Sequence, residues 1–319
     1  VERKLLKGKF VASLMGTFIG DSLGMAVEGY TLEQIEAEYG DIDHLLEARL
    51  GTGAYTDDTE MMIAIAESLV DNSGFDGEDM GNKFVENLNL DRGYGAGTVQ
   101  ALNNIKAGTS WEKAGEHTFG NGSFGNGSAM RIAPIGLFYH TDYGELKEKA
   151  KASSLITHAH LLGKLGATMQ ALAVAYATNQ KPNLDFPVQD CLNCLSDSLD
   201  LIGTKYEDKL NIIKKFLKND PSKREVVKEL GSDTRSFNSV PTAVYSFLAH
   251  PNNFVEAVTY AINLGGDTDT LGAMTGAIAG SYHGLNSIPQ KWLDKLENGE
   301  KGRDYVIELG EKLFETKYC

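Results

Sequence analysis

Two short stretches combine carboxylates with hydroxyls at helix-opening positions: Thr56-Asp57-Asp58-Thr59 and Asp267-Thr268-Asp269-Thr270. Adjacent residues inside a helix point about 100° apart, so Asp57 and Asp58 do not converge from mid-helix. They converge at a helix start, where the preceding chain is extended and side chains curl across the end. Thr56 suits the capping position, and carboxylates in a first turn complement the helix dipole. Taken alone, this stretch is also an ordinary helix start that needs no metal. The second stretch changes the reading: Leu264-Gly-Gly-Asp-Thr-Asp-Thr270 again sets alternating Asp and Thr before an apolar helix. There Asp267 and Asp269 point the same way across an extended turn, and Thr270 adds a hydroxyl oxygen. Drawn together, the stretches supply four carboxylates and several hydroxyls with no His or Cys. Such a cluster repels itself unless cations share its charge. All-oxygen ligation suits Mg²⁺ or Mn²⁺, is compatible with Ca²⁺ and disfavours zinc.

The elements that must position these stretches carry the helical period. Phe10, Leu14, Phe18 and Ile19 share one face of an opening helix, and Met61, Met62, Ile65, Ala66 and Leu69 share a face after the first acidic stretch. Leu161, Leu165, Met169, Leu172 and Tyr176 mark a long central helix, and Val255, Val258, Ile262 and Leu264 a later one. Alternating β-branched runs bounded by turns are nearly absent, which predicts an all-α fold. Gly272, Gly276 and Gly280 lie four apart on one helical face, a pattern that admits another helix closely and would draw the two acidic helix starts together. Other glycines gather at Gly51–Gly53, Gly93–Gly97, Gly120–Gly127 and Gly265-Gly266. Beside polar residues, these predict a loop-built site on a helical scaffold.

With 319 residues, 42% of them hydrophobic, the chain is long enough for one large domain or two modest ones. The acidic stretches come from opposite ends, which favours one domain over 1–319, with a less typical, charged helical insertion at about 180–235. A net charge of -14 argues against a broad grip on nucleic acid or anionic lipid. Val1-Glu2-Arg3-Lys4 lacks the apolar core of a secretory signal. The most apolar stretches, Leu161–Ala177 and Leu271–Ser281, are short for a membrane span. Three cysteines make no disulfide framework, and Cys191-x-x-Cys194 reads as part of an ordinary helix. A cytoplasmic monomer is the expectation.

Five ordered motifs carry a more specific signal: Gly16-Thr-Phe-Ile-Gly-Asp-Ser-Leu-Gly-Met-Ala-Val-Glu28, Tyr55-Thr-Asp-Asp-Thr59, Gly125-Asn-Gly-Ser-Ala-Met-Arg131, Ser154-Leu-Ile-Thr-His158 and Gly265-Gly-Asp-Thr-Asp-Thr270. In these the chain resembles the ADP-ribosylglycohydrolase family from Gly16 to about Gly284. The resemblance implies a compact, single-domain, orthogonal all-α bundle with two Mg²⁺ or Mn²⁺ ions. It implies ligands at Thr56, Asp57, Asp58, Asp267, Asp269 and Thr270, the residues already reached from helix geometry. It adds Glu28 beside the centre, with Asp267, as a catalytic carboxylate, and sets His158 against ADP-ribose. On physical grounds Asn121–Ser128 suits a substrate loop: its glycines let main-chain amides face a diphosphate, and Ser128 is placed to cap the next helix. Expected substrate contacts are therefore Asp57, Gly122, Ser123, Phe124, Gly125, Asn126, Gly127, Ser128 and His158, with Phe124 stacking on adenine or covering the distal ribose. Arg131 is assigned to a structural ion pair and His160 to packing or the surface. Tyr94 receives no role.

The expected chemistry is metal-assisted hydrolysis at the anomeric carbon that joins ADP-ribose to a modified protein side chain or small acceptor. An alternative is a catalytically silent ADP-ribose-binding or structural member. A helical isoprenoid synthase needs a later Asp that Asp57-Asp58-Thr59-Glu60-Met61 lacks, and a phosphoesterase would release inorganic phosphate.

Overall fold

The glycines singled out on the late helix have counterparts on the first. In a computed structural model, which describes residues 2–116, 118–182, 184–199 and 203–318, helix Arg3–Gly24 lies along helix Thr268–His283. A Cβ on Gly16 would stand 2.1 Å from the Gly276 carbonyl oxygen, and one on Gly20 2.0 Å from that of Gly272. At the next turn a Cβ on Gly24 would stand 2.3 Å from the Thr268 oxygen. Partners on the late helix descend as those on the first ascend, so the two run antiparallel with bare backbone between them. Hydroxyls lock the seam: Ser13 Oγ donates to the Ala277 carbonyl and Thr268 Oγ1 to that of Gly24, both at 2.8 Å.

Around this pair the core is continuous. The C-terminal helix Arg303–Tyr318 packs on the first helix, as does helix Asp57–Asn72, and Phe10, Leu14, Phe18, Met62, Leu309 and Phe314 are buried there. By length and composition Arg3–Val27 is apolar enough to cross a membrane, a feature the sequence reading passed over. Of its most apolar window 94% is buried inside the molecule, as for a core helix. The central helix Leu161–Asn179 crosses the same core, and its last turn is closed by a buried lysine: Lys9 Nζ donates to the carbonyls of Thr178, at 2.9 Å, and of Ala177 and Gln180.

Among the described residues there is no strand, only two single-pair bridges, Thr31 with Gly265 and Gly125 with Arg235, each pinning a loop of the site. The stretch expected to be a solvated insertion forms helices Val188–Ser198, Lys205–Asn219 and Lys223–Leu230. These bury Leu195, Tyr206, Ile213, Phe216 and Leu230 against the rest, and Tyr206 Oη donates to the Leu162 carbonyl at 2.9 Å. Cys191 is buried on the first of them and both its thiol and that of Cys194 are free, as an ordinary helix requires.

Candidate active site

Helix Asp57–Asn72 starts where the first helix ends. Thr56 caps it, its Oγ1 accepting from the Asp58 amide at 3.3 Å. A residue given no role from sequence closes the same turn from outside: the buried Asp21 carboxylate accepts from the amides of Thr56, at 3.0 Å, and Thr59, at 3.1 Å, and from Thr59 Oγ1 at 2.6 Å. The second acidic stretch is held by backbone. The amide of Gly29 donates to the Gly266 carbonyl at 2.8 Å and that of Gly266 to the Tyr30 carbonyl at 2.7 Å, which sets Glu28 beside Asp267. The Asp267 amide donates to the Ser232 carbonyl at 2.7 Å. Both positions need glycine: Gly265 and Gly266 have φ of +74° and +86°, and a Cβ on Gly266 would meet the Ser232 oxygen at 2.2 Å.

These constraints bring the two stretches to one cleft of about 360 Å³, lined by Glu28, Asp57, Asp58, Asp267, Asp269 and Thr270. Glu28, Asp267 and Asp269 each offer a carboxylate oxygen within 4.8 Å of the others. Asp58, Asp267, Asp269, Thr56 and Thr270 are buried, Asp57 is half-buried, and Glu28 is exposed at the mouth. Burial, with neighbouring carboxylates adding to it, pushes the carboxyls of Asp58 and Asp269 well above their usual range and that of Asp57 up to about 8. Glu28 and Asp267 are raised as well, first by desolvation. Asp58 Oδ2 is buried with no hydrogen-bond partner. An oxygen left bare inside protein costs about 1–3 kcal/mol or more when charged, unless something outside the protein's own groups binds it. An all-oxygen cluster with such an orphan is matched to a hard divalent cation.

The Gly-rich loop divides. Ser123, Gly125, Asn126 and Gly127 line the cleft, whereas Gly122, Phe124 and Ser128 do not. Asn126 turns its side chain to protein: Nδ2 donates to Asp267 Oδ2 at 2.5 Å and to Ser239 Oγ at 3.0 Å. The amides of Gly122, Gly125 and Asn126 are taken by Thr118 O, Ser123 Oγ and Thr234 O, so the loop is less open to an anion than its glycines suggest. Ser128 is no cap. It lies inside the short helix Gly127–Met130, buried, accepting from Ser154 Oγ at 2.9 Å, because Asn126 already occupies the preceding position. Phe124 packs against Phe237 and the His160 ring. His160 caps helix Leu161–Asn179 through Nδ1, so its packing role has a second part.

Phe119, not Phe124, puts its ring into the cleft, 74% exposed and lying over Gly97, where a Cβ would meet the ring at 2.6 Å. The far wall comes from Thr234, in the stretch that seemed least informative. His158 lines the floor, its Nδ1 2.7 Å from Thr157 Oγ1, and burial, with the nearby Arg131, lowers it to about 3, so the ring is neutral. Arg131 corrects an expectation: among the described residues no carboxylate pairs with it. It is wholly buried, lies 4.3 Å over the Phe84 ring, and donates to the Ser153 carbonyl at 3.2 Å. Tyr94 gains a function: its Oη donates to Glu60 Oε1 at 2.9 Å, tying the Gly93–Gly97 rim to helix Asp57–Asn72.

The ADP-ribosylglycohydrolase family model matches residues 2–318. The chain is 36% identical to ADP-ribosylhydrolase ARH3 of Xenopus tropicalis, with 98% of this chain and 96% of that protein covered. It is 34% identical to ADP-ribosylhydrolase ARH3 of Homo sapiens, with coverages of 92% and 90%. An uncharacterized protein of Archaeoglobus fulgidus is 34% identical over 97% of each chain. A solved structure described as an ADP-ribosylglycohydrolase-related protein complex has a TM-score of 0.73 at 26% identity, covering 98% of this chain and 99% of that one. With a matching family model over nearly its whole length and these relatives, the chain belongs to the ADP-ribosylglycohydrolase family, hydrolases of ADP-ribosyl glycosidic bonds.

Proposed function

We propose that this chain hydrolyses the bond between ADP-ribose and a modified protein side chain or small acceptor, with two Mg²⁺ or Mn²⁺ ions at its acidic centre. The observation that carries the cation reading is the orphaned, buried Asp58 Oδ2 among carboxylates that burial has raised. Thr56, Asp57, Asp58, Asp267, Asp269 and Thr270 would hold the ions. Bound there, divalent ions would fix sugar hydroxyls and lower the pKa of a water.

The residues divide the remaining work by what already occupies them. One oxygen of Asp267 is spent on Asn126, which favours an orienting role for that carboxylate. Glu28 is exposed at the mouth, and desolvation, with Asp267 beside it, raises its carboxyl in the direction that suits a proton carrier. As water attacks the anomeric carbon, its oxygen forms the new bond, the bond to the acceptor breaks, and Glu28 relays a proton between water and acceptor. Neutral His158 would orient the substrate without adding charge. Phe119 would cover a flat part of the ligand, which explains an exposed ring at the cleft wall.

The test is a panel of arginine-, serine- and acetyl-linked ADP-ribose conjugates with Mg²⁺, Mn²⁺ or chelator. Release of ADP-ribose from at least one, abolished by chelator, is expected. Tight ADP-ribose binding without turnover on any linkage would favour the silent binder.

A further inference from the structure

One turn of the first helix touches both acidic helix starts. On one side Asp21 accepts three hydrogen bonds from Thr56 and Thr59, spanning the turn that carries Asp57 and Asp58. On the other, Gly24 accepts from Thr268 Oγ1, the residue between Asp267 and Asp269, at a separation where no Cβ fits. The distance between the two acidic stretches is thus set by residues 20–24. Thr56 caps only the Asp58 amide, and Asp21 reaches across from another helix to take the Thr56 and Thr59 amides that the helix start leaves open, which fixes the turn to the first helix as well as capping it. A fully buried carboxylate beside Asp57 and Asp58 adds repulsion to a cluster that has too much of it. Its placement makes sense where cations compensate the charge and where a rigid ligand turn is required.

We propose that Asp21 is a positioning residue of the cation centre. It holds the Thr56–Thr59 turn so that Asp57 and Asp58 face Asp269 and Asp267. This rests on the cation reading above. All three donors reach Oδ2, and the carboxylate form matters because its other oxygen, Oδ1, also faces the Thr56 amide at 3.0 Å. An amide would offer one oxygen and turn an N–H toward a main-chain N–H.

The experiment compares wild type with Asp21→Asn, Thr59→Val and Ser13→Ala by circular dichroism, melting with and without Mn²⁺, and calorimetric Mn²⁺ titration. Ser13→Ala removes one hydrogen bond of the seam without adding an atom between the helices, so it does not push them apart, and it serves as the control for stability loss without a change of spacing. Asp21→Asn is expected to fold and to lose about 10- to 100-fold in Mn²⁺ affinity, the usual effect of removing a group that orients ligands. Thr59→Val, which deletes one of the three donors, loses less, and Ser13→Ala melts lower with its Mn²⁺ affinity intact. If Asp21→Asn fails to fold, Thr59→Val decides by the same comparison. Mn²⁺ affinity unchanged in the folded variants, or lost equally in Ser13→Ala, overturns the positioning role. Absence of Mn²⁺ binding by wild type overturns the cation reading itself, a distinct outcome.

Discussion

Placing a methyl group on Gly276 tests whether the glycine seam sets the geometry of a site two helical turns away. Its Cβ would stand 2.1 Å from the Gly16 carbonyl oxygen and 2.7 Å from the carbonyl carbon. Both atoms are backbone, so no side chain can swing aside, and restoring a normal contact requires the helices to separate by about 1 Å. Two energies oppose each other. Gly→Ala in a helix interior gains about 1 kcal/mol, and overpacking costs about 1–3 kcal/mol. The net loss of about 0–2 kcal/mol is small for this chain. At about 2.1 cal/mol/K per residue its unfolding entropy is about 0.7 kcal/mol/K, so Tm falls by only about 0–3 °C. Catalysis is less forgiving. Asp269 begins the same helix, and a displacement of about 1 Å at a reacting centre costs on the order of 100-fold. Gly276→Ala is therefore expected to lose activity far out of proportion to stability. Gly8→Ala is the control: on the same first helix, nothing lies within 4 Å of its added Cβ, and it should melt slightly higher with full activity. Scanning calorimetry beside kcat/KM measures both. Full activity in Gly276→Ala, or activity that merely tracks Tm, would refute the coupling.

Phe119→Ala should leave Tm unchanged, because the ring is largely exposed, and raise KM about 5-fold for loss of about 1 kcal/mol of ring contact. Phe124→Ala, removing a ring packed on Phe237, should do the reverse, lowering Tm with a smaller effect on KM; equal KM effects would remove the distinction. In chelator, stability should fall as pH rises from 6.5 to 8. Asp57, up at about 8, keeps in the native state a proton that the unfolded chain, with an ordinary carboxyl near 3.8, has released. His158 and His283, lowered to about 3 and about 4, oppose this only at the start of the range, where an unfolded imidazole is still about half-charged at pH 6.5. Melts at both pH values, with chelator and with Mn²⁺, check it: Mn²⁺ should abolish the decline, and a chelated protein more stable at pH 8 would contradict the sign.

The acidic centre was legible because Asp and Thr at two helix starts have few purposes beyond capping and ligation, and repetition of the form weighed against capping alone. The late half of the glycine seam was visible for the same reason, as a helical period of residues without side chains. Asp21 was not, since one carboxylate inside an apolar helix carries no periodic mark. Its signal lay beside Gly20 and Gly24, whose shared face meets the second acidic helix, while Asp21 on another side of the same turn meets the first. Phe124 reads as the stacking ring because it sits inside the glycine loop, and nothing in the sequence marks Phe119; which ring enters the cleft depends on Phe237 and His160, both remote in sequence. The ion pair expected of Arg131 failed since an aromatic face and carbonyl can hold a buried guanidinium, which sequence does not distinguish from a carboxylate. Thr234 and Ser232 lie in a polar turn whose approach to Gly266 only the fold creates.

The most direct test of the central claim is ADP-ribose release by chelated protein back-titrated with Mg²⁺ or Mn²⁺, run beside Asp58→Asn and Asp269→Asn. The account predicts no release in chelator, restoration by either ion in wild type, and no restoration in the folded variants. Full turnover in chelator, or unimpaired turnover in both variants, would contradict it.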